Sequence, residues 1–373
     1  MKIIIGGDIC PININENHFK NNQEVFCDLQ NEFKQSDLNI VNLEVPLTDA
    51  TSRILKSGPN IKGPVFAAKS LNLSNVHVVS LANNHIGDFS SKGVLETIDV
   101  CTATSIKCVG AGADLIEARK PLIINAAKKR IGIISMSDTE FGIATNTKAG
   151  VNPLDICEAS IQLINLKENT DYNIVILHEG KEHYKYPSPN LQKICRYLCD
   201  IGADLVVCQH SHICGAWESY KDSNIFYGQG NLMFDHANRN SKNWNTGYLI
   251  KVELEENKVS IKQIPFKQTF PGIAKLNKEE SEDFFEESKQ MSKNVLDQNF
   301  IEESWGKFIQ KFEPLYFSVF KGYGRVLRKL NSIFPFAKFM YSKKSKAILL
   351  NAIRSRVHRE VVIDILEKEV NGK

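Results

Sequence analysis

The sequence predicts an α/β protein with a helical appendix at its C-terminal end, and three observations carry that prediction. Short β-branched runs alternate with helical patterns from residue 1 to about residue 268, which is the signal for βαβ units. Beyond that point the strand pattern stops and amphipathic helical stretches take over. The side chains able to bind a metal fall where the strands end, and in an open α/β sheet ligands bind outside the carboxyl ends of the strands.

Taken in order, the strands are "KIIIGG" from residue 2, "DLNIVNLE" from 37, "VHVVSLA" from 76, "KRIGIISM" from 129, "YNIVILHE" from 172 and "ADLVVCQH" from 203. Between them, helical patterns fit "FCDLQNEF", "SKGVLETIDVCTAT", "LDICEASIQLIN" and "SPNLQKICRYLCDIG". The last of these stops at Gly202, a residue suited to the left-handed position that ends a helix. After His212 the pattern turns to hairpins, first "SNIFYGQGNLMF" and then "GYLIKVELEENKVSIKQIPF" with its turn at "EEN". Helices are expected again over "NKEESEDFFEESKQMSKNVL" and from "IEESWGKFIQ" onward, with Pro314 and Pro335 interrupting. Two units follow: a core over 1–268 and a basic helical extension over 269–373.

Composition bounds the function. With 42% hydrophobic and 24% charged residues in 373, the chain can bury a large core plus a second unit. Its nine cysteines are scattered without a C-x-x-C pair, which suits a reducing compartment better than a disulfide framework. The opening "MKIIIGGDIC" lacks the apolar run of a signal peptide, and no window is a spanning helix, so a cytoplasmic protein is expected. Charge is uneven: 11 Lys/Arg and no Asp/Glu lie between Pro314 and Arg359, while residues 1–313 sum to −6. An acidic core without aromatics interleaved among basic residues places nucleic acid last among the partners.

Five strand ends in succession carry carboxylate, carboxamide or imidazole groups. These are Asp8, then Asn42 with Glu44, then Asn83, Asn84 and His85, then His178, then His210 with His212. Each alone has an ordinary structural explanation as a turn, a cap or a satisfied core histidine; the joint pattern does not. The H-x-H at 210–212 would point both imidazoles to one side if the segment is extended. A mixed Asp/Glu, Asn and His set suits Mn²⁺, Fe²⁺ or Zn²⁺ better than Mg²⁺, and it exceeds one tetrahedral shell, which favours two divalent ions. Such a pair supports in-line displacement at a phosphate ester, and His85, beside a ligand-type Asn, is the candidate proton donor to the leaving group. The turn "GAGADL" at 110–115 lacks the last glycine of a dinucleotide fingerprint.

At these residues the sequence resembles the CapA family of capsule and poly-γ-glutamate biosynthesis proteins, within the calcineurin-like metallophosphoesterase superfamily. The blocks are "GGDIC", "NLEVPLT", "SLANNHIGDFSSKG", "VGAGADLIEARKPLII", "LHEGKEHYKYPSP", "GADLVVCQHSHI" and "YGQGNLMFD". The resemblance implies a four-layer metallophosphoesterase-like α-β-β-α sandwich. It implies that Asp8 and His212 share one metal, that Asn84, His178 and His210 hold the other, and that Glu44 bridges them. Asn42, Asn83, Asp88, Glu182 and Asn231 are then groups that touch substrate or orient the ligands. Cys10 stands where the superfamily's D-x-H has histidine, Glu179 and His183 replace the tryptophan and tyrosine of the family's H-W-G-x-E-Y, and "CQHSH" replaces G-H-H-P-H.

Two functions compete. One is a metal-dependent hydrolase acting on an anionic cell-surface polymer or its lipid-linked precursor; the other is a non-catalytic accessory subunit of a polymer synthesis or export complex. The stretch 314–359 has two readings as well. Its amphipathic segment "FSVFKGYGRVLRKLNSIF" is either a helix docked on the core with a solvated basic face or a peripheral contact with the anionic inner face of the membrane.

Overall fold

The structure, a computed structural model, describes residues 1–20, 23–56, 58–236, 240–256, 258–319 and 342–371. Two sheets dominate it. The first contains the parallel strands β1 (Lys2–Cys10), β2 (Leu38–Leu43), β3 (Val78–Ser80) and β4 (Lys107–Val109). It is extended on the β1 side by β14 (Thr246–Leu254), β15 (Val259–Gln268) and β16 (Ile273–Lys275), giving the order β16-β15-β14-β1-β2-β3-β4, while β13 (Asn231–Phe234) pairs parallel with the end of β1. The second sheet contains β6 (Leu122–Ala126), β7 (Lys129–Ser137), β9 (Tyr172–His178), β10 (Leu205–Gln209), β11 (Trp217–Tyr220) and β12 (Ser223–Phe226), in the order β11-β12-β10-β9-β7-β6. A small pair, β5 (Ala111–Gly112) with β8 (Gly150–Val151), completes the strands.

Strand alternation builds the layers. Ile3 and Ile5 of β1 face the second sheet, where they meet Ile174 and Ile176 of β9 and Val207 of β10. Ile4 and Ile9 face the other way, onto a helical layer that supplies Phe19, Phe33, Leu71 and Val94. Those residues lie on α1 (Ile14–Lys20), α2 (Gln30–Lys34), α3 (Ala67–Leu73) and α4 (Ser90–Ala103). Behind the second sheet, Val175 and Leu177 pack on Leu163, Leu166, Leu191 and Leu198, from α6 (Ile156–Asn169) and α7 (Pro189–Asp200). The order helix, sheet, sheet, helix is therefore the expected four-layer α-β-β-α sandwich.

Helix boundaries follow capping chemistry. Asp114 caps α5 (Leu115–Arg119), Asp155 caps α6, and Ser188 caps α7 with proline in the first turn. Just past α7, Gly202 sits at φ +132°. In the appendix, α9 (Lys278–Asn294) opens with a reciprocal capping box between Asn277 and Glu280.

Three expectations are corrected. "SNIFYGQGNLMF" is not a hairpin: β12 pairs with β10 and β11 in the second sheet, whereas β13 pairs with β1 in the first. The glycines between them carry the chain from one sheet to the other; a Cβ on Gly7 would lie 2.0 Å from the Gly230 carbonyl oxygen. That approach sets Asp8 opposite Asn231. Second, the hairpin of β6 and β7 was missed because half-buried β6 lacks a clear alternation. Third, α10 (Gln298–Val319) continues past Pro314; one proline removes one backbone bond from a 22-residue helix.

Two further helices, α11 (Lys343–Arg354) and α12 (Arg356–Asn371), return across the core. Most of "FSVFKGYGRVLRKLNSIF", from residue 320 on, and Pro335 lie within 320–341, outside the described residues. No described helix is long and apolar enough to cross a membrane.

Candidate metal centre

The parallel strands of both sheets end at one edge, and the site assembles there. Asp8 lies near the end of β1 in register with Asn42 of β2, whose amide donates to its carboxylate at 2.7 Å. The same amide is 3.3 Å from Nδ1 of His178, the last residue of β9. Glu44 follows β2 and His210 follows β10 directly. Nε2 of His178 is 3.3 Å from Glu44 Oε1, 3.1 Å from Asn84 Oδ1 and 3.1 Å from His210 Nδ1. Nδ1 of His212 is 3.4 Å from Asp8 and 3.8 Å from Glu44 Oε2, and 3.0 Å from Asn231 Oδ1.

Donor atoms thus form overlapping sets, each within 4.8 Å: Asp8, Glu44 and His212; Glu44, His178 and His210; and Glu182, His210 and His212. Glu44 belongs to the first two, and Glu182, exposed at the mouth, joins the third. Cys10, fully buried beneath the centre, belongs to none of the sets among the described residues; burial pushes its thiol well up, aided by the Glu44 and Asp8 charges.

The H-x-H segment reaches the cleft by a different route from the one expected. His210 and His212 sit at φ +89° and +58°, so the segment is a strained turn rather than an extended strand. Non-glycine residues held there cost of order 1–3 kcal/mol each and gather at functional sites. Behind His212, short α8 (Lys242–Asn245) seats Trp244 with its ring 4.9 Å from the imidazole.

Two features show that the donors fit divalent metal. Both Glu44 carboxylate oxygens are buried and lack any hydrogen-bond partner, and an unsatisfied buried carboxylate is costly. Burial and the neighbouring Asp8 push its carboxyl up to about 7, the mark of an acid in need of a cation. The imidazoles are also in ligand form. Burial draws His178 down to about 4 and lowers His210 as well, keeping a lone pair available. His212 differs: although burial opposes it, Glu44 and Asp8 raise it to about 10, so a proton stands where a cation would.

Asn83 does not join the donor sets. Its amide donates to the Leu43 carbonyl at 2.8 Å, and its Oδ1 accepts from the backbone N–H of His85 and Ile86; it shapes the loop. Asp88 is likewise set apart, 2.8 Å from His85 Nδ1. Lys56, which the sequence reading missed, lies 2.5 Å from Asp88 Oδ1, 3.2 Å from His85 Nδ1 and 3.0 Å from the Asn84 carbonyl. Burial and the Lys56 charge lower His85, while Asp88 opposes them. A buried lysine in "RILKSGPN" has no sequence signature, since neither periodicity nor motif surrounds it.

The family described as bacterial capsule synthesis protein PGA_cap matches residues 2–236. The chain is 28% identical over 247 residues to the capsule biosynthesis protein CapA of Bacillus anthracis, covering 64% of this chain and 59% of that protein. It is 31% identical over 173 residues to a probable polyglutamine synthesis accessory protein of Mycobacterium tuberculosis, covering 43% and 46% respectively. The matched segments therefore span only about half the length of these relatives. A 5'-nucleotidase precursor from Thermus thermophilus aligns at TM-score 0.43 and 12% identity, covering 85% of this chain and 59% of that one.

Proposed function

The chain belongs to the PGA_cap family, and from that premise we propose that it is a metal-dependent hydrolase of the phosphoesterase type, acting in synthesis or processing of a capsular or other anionic cell-surface polymer. The observation that carries the proposal is Glu44: a fully buried carboxylate with no hydrogen bond to either oxygen, shared by two histidine-containing donor sets. In this reading Asp8 and His212 hold one ion, Asn84, His178 and His210 hold a second, and Glu44 lies between. Mn²⁺, Fe²⁺ or Zn²⁺ held there would supply charge stabilisation for a phosphoryl group and an activated water. Asn42 and Asn231 orient Asp8 and His212. His85 faces the cleft and handles the leaving group's proton, its ring fixed by Asp88.

Elemental analysis combined with a chromogenic phosphodiester assay in Mn²⁺ tests this. Two equivalents of metal with turnover support the hydrolase. Bound metal without turnover on esters or polymer supports the second reading, a non-catalytic accessory subunit, in line with the mycobacterial relative's description as an accessory protein. Failure to bind any divalent ion overturns the metal site.

A peripheral membrane contact through 314–359 is also proposed, on its run of basic residues without acids. It predicts salt-sensitive co-sedimentation with anionic vesicles, lost when Arg325, Arg328 and Lys329 are changed together to glutamine. Binding that survives those changes would refute it.

A further inference from the structure

Above the donor cluster lies a cavity of about 300 Å³, at the small end of the roughly 300–1,000 Å³ usual for ligand sites. Its inner side is Asn84, His85 and His210, and its outer side includes Phe308, Asn351 and His358. These last three come from α10, α11 and α12, all beyond the residues that match the family. So the family-matching core supplies the donors, and the appendix lines the facing side of the space over them.

The closure is fastened at the rim. Nδ1 of His358 lies 2.9 Å from Lys181 Nζ, and its Nε2 lies 3.0 Å from Glu140 Oε1. One ring bridges both groups, with Nδ1 facing the ammonium and Nε2 the carboxylate. Nearby, Phe308 packs 5.3 Å from Trp305 and 4.6 Å from Tyr184 of the core, and the Trp305 indole N–H donates to Asp364 of α12 at 2.8 Å. Helices α10, α11 and α12 thus brace one another and the core.

We infer that these helices form the outer half of the substrate pocket and restrict it to one compact anionic group, so that a chain end or a small ester reaches the donor cluster and an internal link of a polyanion does not. The inference rests on the metal-cleft reading above. An internal link needs a long open groove; a cavity of about 300 Å³ with Phe308, Asn351 and His358 across from the donors holds one compact group at a time.

Linear polyphosphates of two lengths test it by binding rather than turnover. The full chain is loaded with Mn²⁺, its metal content and orthophosphate affinity are measured, and polyphosphate binding is then counted as the part that orthophosphate displaces at high salt. The expected result is at most one protein per polymer end, whatever the length. In His358→Ala, metal content should persist while the number bound per long polymer rises several-fold. A count that already grows with length in the unaltered chain overturns the inference and leaves the metal site standing. Absence of both metal and orthophosphate binding overturns the site and the inference with it. The length comparison on the unaltered chain decides the matter even where the variant misfolds.

Discussion

The two sides of the cleft are built on opposite principles. The inner side gathers Asp8, Glu44 and three imidazoles, with no hydrogen bond to either oxygen of the Glu44 carboxylate. The outer side pairs its groups in sequence, Lys181 to His358 to Glu140. Although burial opposes it, the His358 hydrogen bond and the Lys181 charge hold the Glu140 carboxyl well below the usual range. An inner wall with unmet demands is a binding site, while an outer wall with its demands met is a fastening. Chemistry should therefore respond to changes in the first and shape and stability to changes in the second.

The largest break is removal of the appendix. Met291, Val295 and Ile301 are buried in the same cluster as α6 and α7, and each fully buried apolar side chain of this kind contributes about 1.5–3 kcal/mol. Together they approach a typical net stability of about 5–15 kcal/mol. A chain ending at Gln268 should be insoluble or lack a cooperative unfolding transition. A soluble 1–268 fragment that still binds metal would show the appendix to be a separate unit.

Next comes His85→Ala. It should retain metal while turnover falls by roughly 10²–10⁴, the size of a general acid–base contribution, whereas His210→Ala should lose metal. Equal metal loss in both variants would make His85 a ligand and remove its assigned role. Lys56→Met acts on the same loop through stability. Its ammonium and the Asp88 carboxylate are almost wholly buried, and removing one partner of such a pair costs about 3–5 kcal/mol. Chemical denaturation should show that loss; a midpoint within error of the parent would mean that Asp88 is satisfied without Lys56.

The inner side was legible in the sequence because its donors follow strand ends, and strand ends are marked by β-branched runs. Asp8, Glu44, His178 and His210 were located by that rule. It failed in detail at His212, where left-handed backbone rather than strand alternation turns the ring inward. It also failed at the β12–β13 crossover, since glycine-rich "YGQG" reads as a hairpin turn whenever the partner strands are unknown. On the outer side nothing local points to function. His358 lies on an amphipathic helix, Lys181 and Glu140 in loops, and their meeting depends on contacts spanning 177 residues of chain between Lys181 and His358. Lys56 was equally hidden, because burial of a lysine is a property of the fold that surrounds it.

The smallest effect expected is also the most selective. Asp138, just after β7, reaches across to the start of α12: its carboxylate accepts from the Ser355 hydroxyl at 2.5 Å and from the backbone N–H of Arg356 and Val357 at 3.0 and 3.3 Å. Ser355 in turn accepts from the His358 N–H at 3.3 Å. This is a helix cap lent by the core to the appendix, and losing a cap to alanine costs about 0.5–2 kcal/mol. Asp138→Ala should therefore lower the melting temperature by a few degrees, while Asp138→Asn, which keeps one acceptor oxygen, should lose less. Metal content should not change, because Asp138 meets the donor residue His178 through its backbone N–H, which the alanine variant keeps. Amide exchange over 355–360 should quicken, and the long-polymer binding count should move toward that of His358→Ala. Faster exchange with an unchanged count would mean that α12 can fray without opening the cleft, and the closing wall would then rest on Phe308 and α10 instead.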